Sequence, residues 1–205
     1  MPWGSPVHAI HVETVRHTDL TLLSRHMPAR MEKAYQYRQE RDRLLCIGAG
    51  LLLQRVLGIR DETELRTGPF GKPYAPGFPA FNLSHSGDWC ILATGEKDIG
   101  ADIEEENEKH LSAAPAVFTQ EEQDWISGDP ARFHMLWTLK ESLMKATGLG
   151  FEMQPKSVDV LPLSDHRPVY LRGQAWYAAT GSIPGYRFSV CGQTPIETLE
   201  WLEYE

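Results

Sequence analysis

The stretch 137-WTLKESLMKATGLGF-151 decides how the rest of the chain is read. At about 100° per residue, Leu136, Leu139 and Leu143 line up as one apolar stripe, and Trp137, Glu141 and Lys145 form an adjoining ridge at i, i+4 and i+8. That periodicity predicts a helix from about Ala131 to Thr147, stopped by Gly148. Glu141 and Lys145 on their own would be an ordinary helix-surface pair, worth a few tenths of a kcal/mol. Together with Lys140 they raise the question of why three charges sit beside a buried face.

Working outward, 28-PARMEKAYQYRQERDRLLCIGAGLLLQRVLG-58 predicts one long or two consecutive helices, opened by Pro28 and closed by Gly58. The Gly- and Pro-dense 67-TGPFGKPYAPGFPAF-81 must be turn and loop. "WCILAT" has strand length and "DIGADIE" alternates with period two. Residues 104–115 predict an irregular connection, and "FTQEEQDWIS" a short helix capped by Thr119 with Glu122 closing a capping box. The last third, with "SVDVLPL", "PVYLRGQAWYAAT" and "YRFSVCGQ", predicts strands broken by Pro and Gly. A long helix ending in Gly, followed by strands and a hairpin, thus occurs once on each side of residue 97. The expected fold class is α+β, with two related halves, 1–97 and 98–205.

At 205 residues and 41% hydrophobic, the chain can bury one compact core and lies outside the composition of disordered proteins. Cys46, Cys90 and Cys191 are odd in number and match no metal spacing, which predicts a reducing, cytoplasmic setting. The first 25 residues hold no signal-length apolar run, because His8, His11, Glu13, Arg16 and His17 interrupt it. The longest apolar run, "LLCIGAGLLL", is about half a membrane span and predicts a buried helix, so no membrane partner is expected. The net charge of −8 argues against nucleic acid. Residues 25–60 are the exception, since basic residues dominate there: Arg25, Arg30, Lys33, Arg38, Arg41, Arg43, Arg55 and Arg60 against Glu32, Glu40 and Asp42.

In "IGADIEEEN" the strand period puts Ile99, Ala101 and Ile103 on one face and Gly100, Asp102 and Glu104 on the other. Two carboxylates one pleat apart repel by roughly 2–3 kcal/mol at an effective dielectric near 20. A hard divalent cation removes that repulsion, and Mg²⁺ characteristically takes a few carboxylates and completes its shell with water and phosphate oxygens. Glu141 could supply a third oxygen from the helix, with Lys145 facing whatever the metal binds, an arrangement suited to phosphoryl chemistry. In "FNLSHSGDW", Ser84, His85 and Ser86 present hydroxyls and an imidazole before an apolar strand. Lys72 is a cation held between Gly71 and Pro73. No Walker loop, dinucleotide glycine fingerprint or HExxH motif is present, and His8 and His11 read as strand surface.

"FGKPY", "FNLSHSGDWC", "IGADIE" and "LWTLKESLMKATGLGF", in that order, resemble the surfactin-type (Sfp-like) family of 4′-phosphopantetheinyl transferases. The matching block runs from about Phe70 to Phe151. The resemblance implies a pseudo-dimer of two pseudo-equivalent α+β subdomains with the active site in the cleft between them. It implies transfer of 4′-phosphopantetheine from coenzyme A, the co-substrate, to a serine of an acyl or peptidyl carrier protein, with release of 3′,5′-ADP. By the same resemblance Asp102, Glu104 and Glu141 hold Mg²⁺, with Mn²⁺ as the alternative, and Glu141 and Lys145 are the catalytic pair. Arg30, Lys33, Arg43, Lys72, Ser84, His85 and Lys145 are the implied coenzyme A contacts.

A cytoplasmic monomer is expected, and "HLSAAPAVFT" is the candidate carrier-protein contact. Two departures from the family pattern are Ala101, where a larger β-branched residue is usual, and Leu143, where an aromatic is often found. Competing readings of the same residues are a Mg²⁺-dependent diphosphate hydrolase and a non-catalytic carrier-protein binding module.

Overall fold

The computed structural model describes residues 4–150, 153–161 and 168–205. After β1 (Gly4–His11) come the helices α1 (Val12–His17), α2 (Thr21–His26), α3 (Pro28–Gln36) and α4 (Glu40–Leu52). A π-helical turn, Leu53–Leu57, extends α4 to Gly58, which closes it at φ 72°. The predicted helical stretch is therefore two helices, entered at Pro28 and left at Gly58. A small hairpin, β2 (Arg66–Thr67) with β3 (Pro73–Tyr74), carries the GKP turn. The hairpin β4 (Ala80–Ser86) and β5 (Trp89–Gly95) follows.

β6 (Ile99–Glu105) opens the second layer. The connection after it is a 3₁₀ segment, Glu108–Ala113, running into the short α5 (Ala114–Val117). α6 (Gln120–Ile126) has the expected Thr119–Glu122 capping box. α7 (Pro130–Thr147) ends at Gly148, φ 69°. The chain finishes in β7 (Val169–Leu171), β8 (Gln174–Ile183), β9 (Tyr186–Gly192) and β10 (Thr198–Tyr204).

These elements make a mixed α+β fold with two four-stranded sheets, ordered β10-β1-β5-β4 and β6-β9-β8-β7. The connection repeats: a strand, a long helix, then an antiparallel hairpin whose second strand pairs back onto the first. α4 covers the first sheet through Leu44, Leu51 and Leu52, packed with Ile10, Phe81 and Leu92. α7 packs on the second through Leu136, Leu139 and Leu143, with Trp176 and Cys191. A third cluster joins the sheets: Val7, Ala9, Ile91 and Ala93 meet Ile99, Ala101, Ile103, Phe188 and Val190. β10 crosses the division at residue 97, pairing parallel with β1 from the far end of the chain.

One expectation needs correction. The start of "SVDVLPL" is no strand: Pro155–Ser157 is a 3₁₀ turn, and Val158 and Val160 alternate into the α7 core without pairing to a neighbour. Residues 162 and 163 of that motif lie outside the described residues, as do Phe151 and Glu152. In the "HLSAAPAVFT" segment Phe118 is fully buried and Leu111, Ala114 and Val117 pack against the same core, while His110, Ser112, Ala113, Pro115 and Ala116 stay exposed. Among the described residues, no helix is long and apolar enough to cross a membrane.

Candidate active site

β6 is an edge strand of its sheet and lies beside β4, the edge of the other. One face of β6 carries Ile99, Ala101 and Ile103 into the inter-sheet core, as the period-two pattern requires. The opposite face carries Gly100, Asp102 and Glu104 toward α7. Gly100 makes that approach feasible: a Cβ there would overlap the Ser142 carbonyl oxygen and the backbone of Ala146. With the helix this close to the strand, Lys145 Nζ reaches Asp102 Oδ1 at 2.6 Å and Ser84 at 3.0 Å.

The carboxylates sit in unlike surroundings. Asp102 is 3% exposed, and its Oδ1 accepts bonds from Lys145 and from Ser84 (2.8 Å). Its Oδ2 is buried without a partner. Burial pushes the Asp102 carboxyl above its usual range, outweighing the opposing pull of Lys145. Glu104 Oε2 accepts from Ser86 at 2.9 Å. Burial, then the neighbouring Asp102 charge, raise this carboxyl too. Glu141 is pushed up to about 7, first by burial and then by Asp102, with Lys145 opposing and Glu104 adding to the rise. Glu141 Oε1 is a second buried oxygen with no partner. Three acids whose carboxyls are raised by burial, gathered around one lysine, make this seam the candidate site.

Whether this set suits a divalent cation is a question of donor chemistry. Among the described residues, no three His, Cys, Asp or Glu side chains form a ready-made metal cluster, and Lys145 engages one oxygen of Asp102. Two buried carboxylate oxygens nevertheless lack any partner, an arrangement costly to leave unfilled. Mg²⁺ needs only one or two protein carboxylates when phosphate oxygens and water complete its shell. The residues therefore fit a hard cation that arrives with a phosphate-bearing ligand.

The remaining predicted residues are placed differently. His85 on β4 has an edge open to solvent, yet partial burial of its ring, then the Lys145 charge, hold its pKa below the usual value. Lys72 donates to the carbonyls of Ile99 and Ala146, both at 2.9 Å, tying the GKP turn to the start of β6 and the end of α7. Arg43 donates to the carbonyls of Tyr37 and Arg38 and braces the α3–α4 connection. Arg30 pairs with Glu62 at 3.1 Å, and Lys33 is exposed on α3. Ser84, Asp102, Glu104, Glu141 and Lys145 thus come together, with Lys72 at the adjoining cavity and His85 on the alternate face of β4, while Arg30, Lys33 and Arg43 have no hydrogen bond or ion pair to this set among the described residues.

Lys140 is on the other side of the helix from Glu141. It is fully buried, with its ammonium 2.7 Å from Glu122 and 2.8 Å from the Pro155 carbonyl. Sequence reasoning also passed over Asn82, whose side chain accepts from the Ala101 amide at 2.9 Å. The available signal was the alternation of small polar residues at 82, 84 and 86 within a strand.

A clear space beside this seam is bounded by Phe70, Gly71, Lys72, Pro73, Asn82, Leu83, Lys145, Gly148 and Gly150, with a volume of about 220 Å³. A second cavity of about 410 Å³ lies against Lys72 from the side of Phe81, Asp98 and Leu149.

Comparison with known proteins follows this geometry. The sequence profile of the 4′-phosphopantetheinyl transferase superfamily matches residues 98–191, the span holding β6 and α7. The chain is 30% identical to the 4′-phosphopantetheinyl transferase Sfp of Bacillus subtilis, over 87% of this chain and 88% of that protein. It is 36% identical to the 4′-phosphopantetheinyl transferase gsp of Aneurinibacillus migulanus, over 48% of this chain and 44% of that protein. It is also 30% identical to the rat L-aminoadipate-semialdehyde dehydrogenase-phosphopantetheinyl transferase, over 67% of this chain and 53% of that one.

Proposed function

Because the chain belongs to the 4′-phosphopantetheinyl transferase superfamily, we propose that it transfers the 4′-phosphopantetheine arm of coenzyme A to a serine of an apo acyl or peptidyl carrier protein, releasing 3′,5′-ADP. The observation that carries this reading is the seam between β6 and α7, where Asp102, Glu104 and Glu141 gather around Lys145 and Lys145 also lines the adjoining cavity.

In the transfer, the serine oxygen bonds to the phosphorus bearing the pantetheine arm. The bond from that phosphorus to the bridging oxygen breaks, and the serine proton must leave. Serine is a poor nucleophile near neutral pH, so a base matched to that pH is needed. Glu141, a buried carboxylate whose α7 neighbour one turn on is Lys145, is the group we assign to receive that proton, directly or through a water. Lys145 offers its ammonium to the phosphate oxygens from one turn further along α7. Asp102, Glu104 and Glu141 would hold Mg²⁺ or Mn²⁺, and such an ion, when bound, neutralises charge on the diphosphate. Asp102 Oδ2 and Glu141 Oε1, both buried and unpartnered, support that assignment.

Lys33 and His85 are the exposed basic groups we assign to coenzyme A. Lys72 is the cation we assign to the adjoining cavity, and Arg30 and Arg43, whose head groups meet Glu62 and the Tyr37 and Arg38 carbonyls, are kept as further cofactor contacts on the strength of the family resemblance. We read the two layers as pseudo-equivalent subdomains, 1–97 and 98–205, with β10 returning to the first. A cytoplasmic monomer that binds neither nucleic acid nor membrane completes the proposal, consistent with the net charge of −8 and the free cysteines.

The test is intact-mass spectrometry of an apo carrier protein after incubation with this protein, coenzyme A and Mg²⁺. A mass gain of one phosphopantetheine, abolished by EDTA, is the expected result. Cleavage of coenzyme A without any carrier, or no gain across several unrelated carriers, would overturn the reading.

A further inference from the structure

β4 and β6 belong to different sheets and share no backbone ladder, yet they are stitched together in a regular way. Asn82 Oδ1 accepts from the Ala101 amide, Ser84 Oγ from Ile103 (3.4 Å), and Ser86 Oγ from Glu105 (3.1 Å). Alternate side chains of β4 therefore stand where the carbonyls of a neighbouring strand would otherwise be. The two serines do more, because each also donates its proton to the carboxylate just before the amide it receives. Ser84 donates to Asp102 at 2.8 Å and Ser86 to Glu104 at 2.9 Å.

Counting hydrogen-bond capacity sharpens the point. A serine hydroxyl has one donor and two lone pairs. Ser84 gives its proton to Asp102 and accepts from both Ile103 and Lys145, so its capacity is filled inside the protein. Ser86 gives its proton to Glu104 and accepts from Glu105, leaving one lone pair. A hydroxyl donating to one carboxylate oxygen fixes the carboxylate's rotation and leaves the other oxygen available. For Asp102 that other oxygen is the buried, unpartnered Oδ2. The amide bonds meanwhile lock the register of β6, and a slip of one residue would turn both carboxylates to the opposite face.

We propose that Asn82, Ser84 and Ser86 form a polar comb on β4 that sets the register of β6 and orients Asp102 and Glu104 toward a divalent cation. Their role is positioning, and Ser86 is the member that isolates it, because its hydroxyl touches one carboxylate and no lysine. This assignment rests on the transferase reading for the identity of the site and adds how its acids are aimed. Partners that orient metal-binding carboxylates typically matter by about 10- to 100-fold in metal affinity.

The test is titration of the full-length protein with Mn²⁺, followed by electron paramagnetic resonance, for wild type, Ser86→Ala and Ser86→Thr, with thermal unfolding and metal-free coenzyme A binding measured in parallel. Ser86→Ala is expected to fold, to lose about tenfold in Mn²⁺ affinity, and to bind coenzyme A without metal as wild type does. Ser86→Thr, which keeps the hydroxyl, should restore Mn²⁺ affinity. Should Ser86→Ala not fold, Ser86→Cys keeps the volume with a weaker donor and should show a smaller loss in the same direction.

A folded Ser86→Ala with wild-type Mn²⁺ affinity overturns the proposal, whatever its melting temperature. So does a loss of metal-free coenzyme A affinity, which would make the hydroxyl a cofactor contact. A wild-type protein that binds no Mn²⁺ overturns it as well. A wild type that binds Mn²⁺ with the expected serine dependence but modifies no carrier leaves the comb standing and removes the transferase reading.

Discussion

The two layers share a connection but differ in what their helices bury. In α4 every buried residue is apolar: Leu44, Leu45 and the run from Ile47 to Leu52. In α7 the buried set includes His134, Thr138, Lys140 and Ser142 among the hydrophobic residues. The inner edge strands differ in the same sense. β4 brings an amide and two hydroxyls to the seam, while β6 brings two carboxylates. One topology used twice has produced an apolar helix core on one side and a polar, partly charged one on the other. Function resides in particular side chains laid on a repeated scaffold, and the scaffold alone would not have revealed it.

The sharpest way to break this contrast is to remove the charge buried in α7. Lys140→Met leaves the carboxylate of Glu122, 1% exposed, without its counter-ion. Truncating one member of such a pair typically destabilises by about 3–5 kcal/mol. For a chain of this size that corresponds to a melting temperature lower by roughly 10 °C. Calorimetry checks it, and the control is Leu51→Met in α4, where a volume-conserving apolar swap should cost less than about 1.5 kcal/mol. Comparable losses in both helices would show that the polar core of α7 carries no special weight.

Glu141→Gln probes the reacting side directly. Turnover on a carrier protein is expected to fall by roughly 10²-fold or more, the scale of losing a positioned base. Stability should move the other way. The folded carboxyl holds its proton up to about 7, above the ordinary glutamate value, so in the metal-free protein its stabilising contribution is complete at acidic pH. It is lost as pH rises through about 7, because the folded state must then give up a proton it binds more tightly than the unfolded chain does. At pH 8 without metal, the Gln variant should melt higher than wild type, and at pH 4 the two should converge. An equal melting temperature at both pH values would show that Glu141 is not strained.

Glycine marks the helix–sheet contact in both layers, on opposite partners. On β6, a Cβ at Gly100 would run into backbone of α7, which cannot yield without shifting the helix. Gly100→Ala should therefore cost about 1–3 kcal/mol and move Lys145 away from Asp102, lowering turnover as well. On α4, a Cβ at Gly48 would meet Ile10 Cγ2 at 3.1 Å and Val15 Cγ2 at 3.3 Å, side-chain atoms that can give way. Gly48→Ala also gains up to about 1 kcal/mol of helix propensity, so a near-neutral result is expected. Denaturant unfolding of both variants decides between them.

What could be read beforehand follows from the range over which each pattern acts. The ends of the helices at Gly58 and Gly148, the capping box at Thr119, and the facing of Asp102 with Glu104 depend on residues a few positions apart, and all were legible. Lys140 looked like one more surface charge because its partner lies eighteen residues away on α6, where Glu122 was fully explained as a capping residue. For Lys72 nothing local says that its ammonium also meets the carbonyls of Ile99 and Ala146. The pairing of β10 with β1 joins the two ends of the chain, and no periodicity records such a partnership. Asn82, Ser84 and Ser86 were visible as an alternation, but its meaning depends on a strand from the other sheet.

The smallest expected effect tests whether the first layer contributes anything beyond support. Lys33 is exposed on α3, within the basic stretch of residues 25–60, and its charge acts across solvent. A surface charge of this kind is worth at most about 1 kcal/mol and is screened within roughly 10 Å at 0.1 M salt. Lys33→Ala should therefore weaken coenzyme A binding a few-fold at low ionic strength, with the difference fading as salt is raised. The comparison with Lys145 is the informative part. Lys145 is only 29% exposed and bonded to Asp102, so Lys145→Ala should cost affinity at every salt concentration. If Lys33→Ala also proved insensitive to salt, its ammonium would be a direct, desolvated contact to the cofactor, and the first layer would share in the chemistry that the rest of the geometry gives to the second.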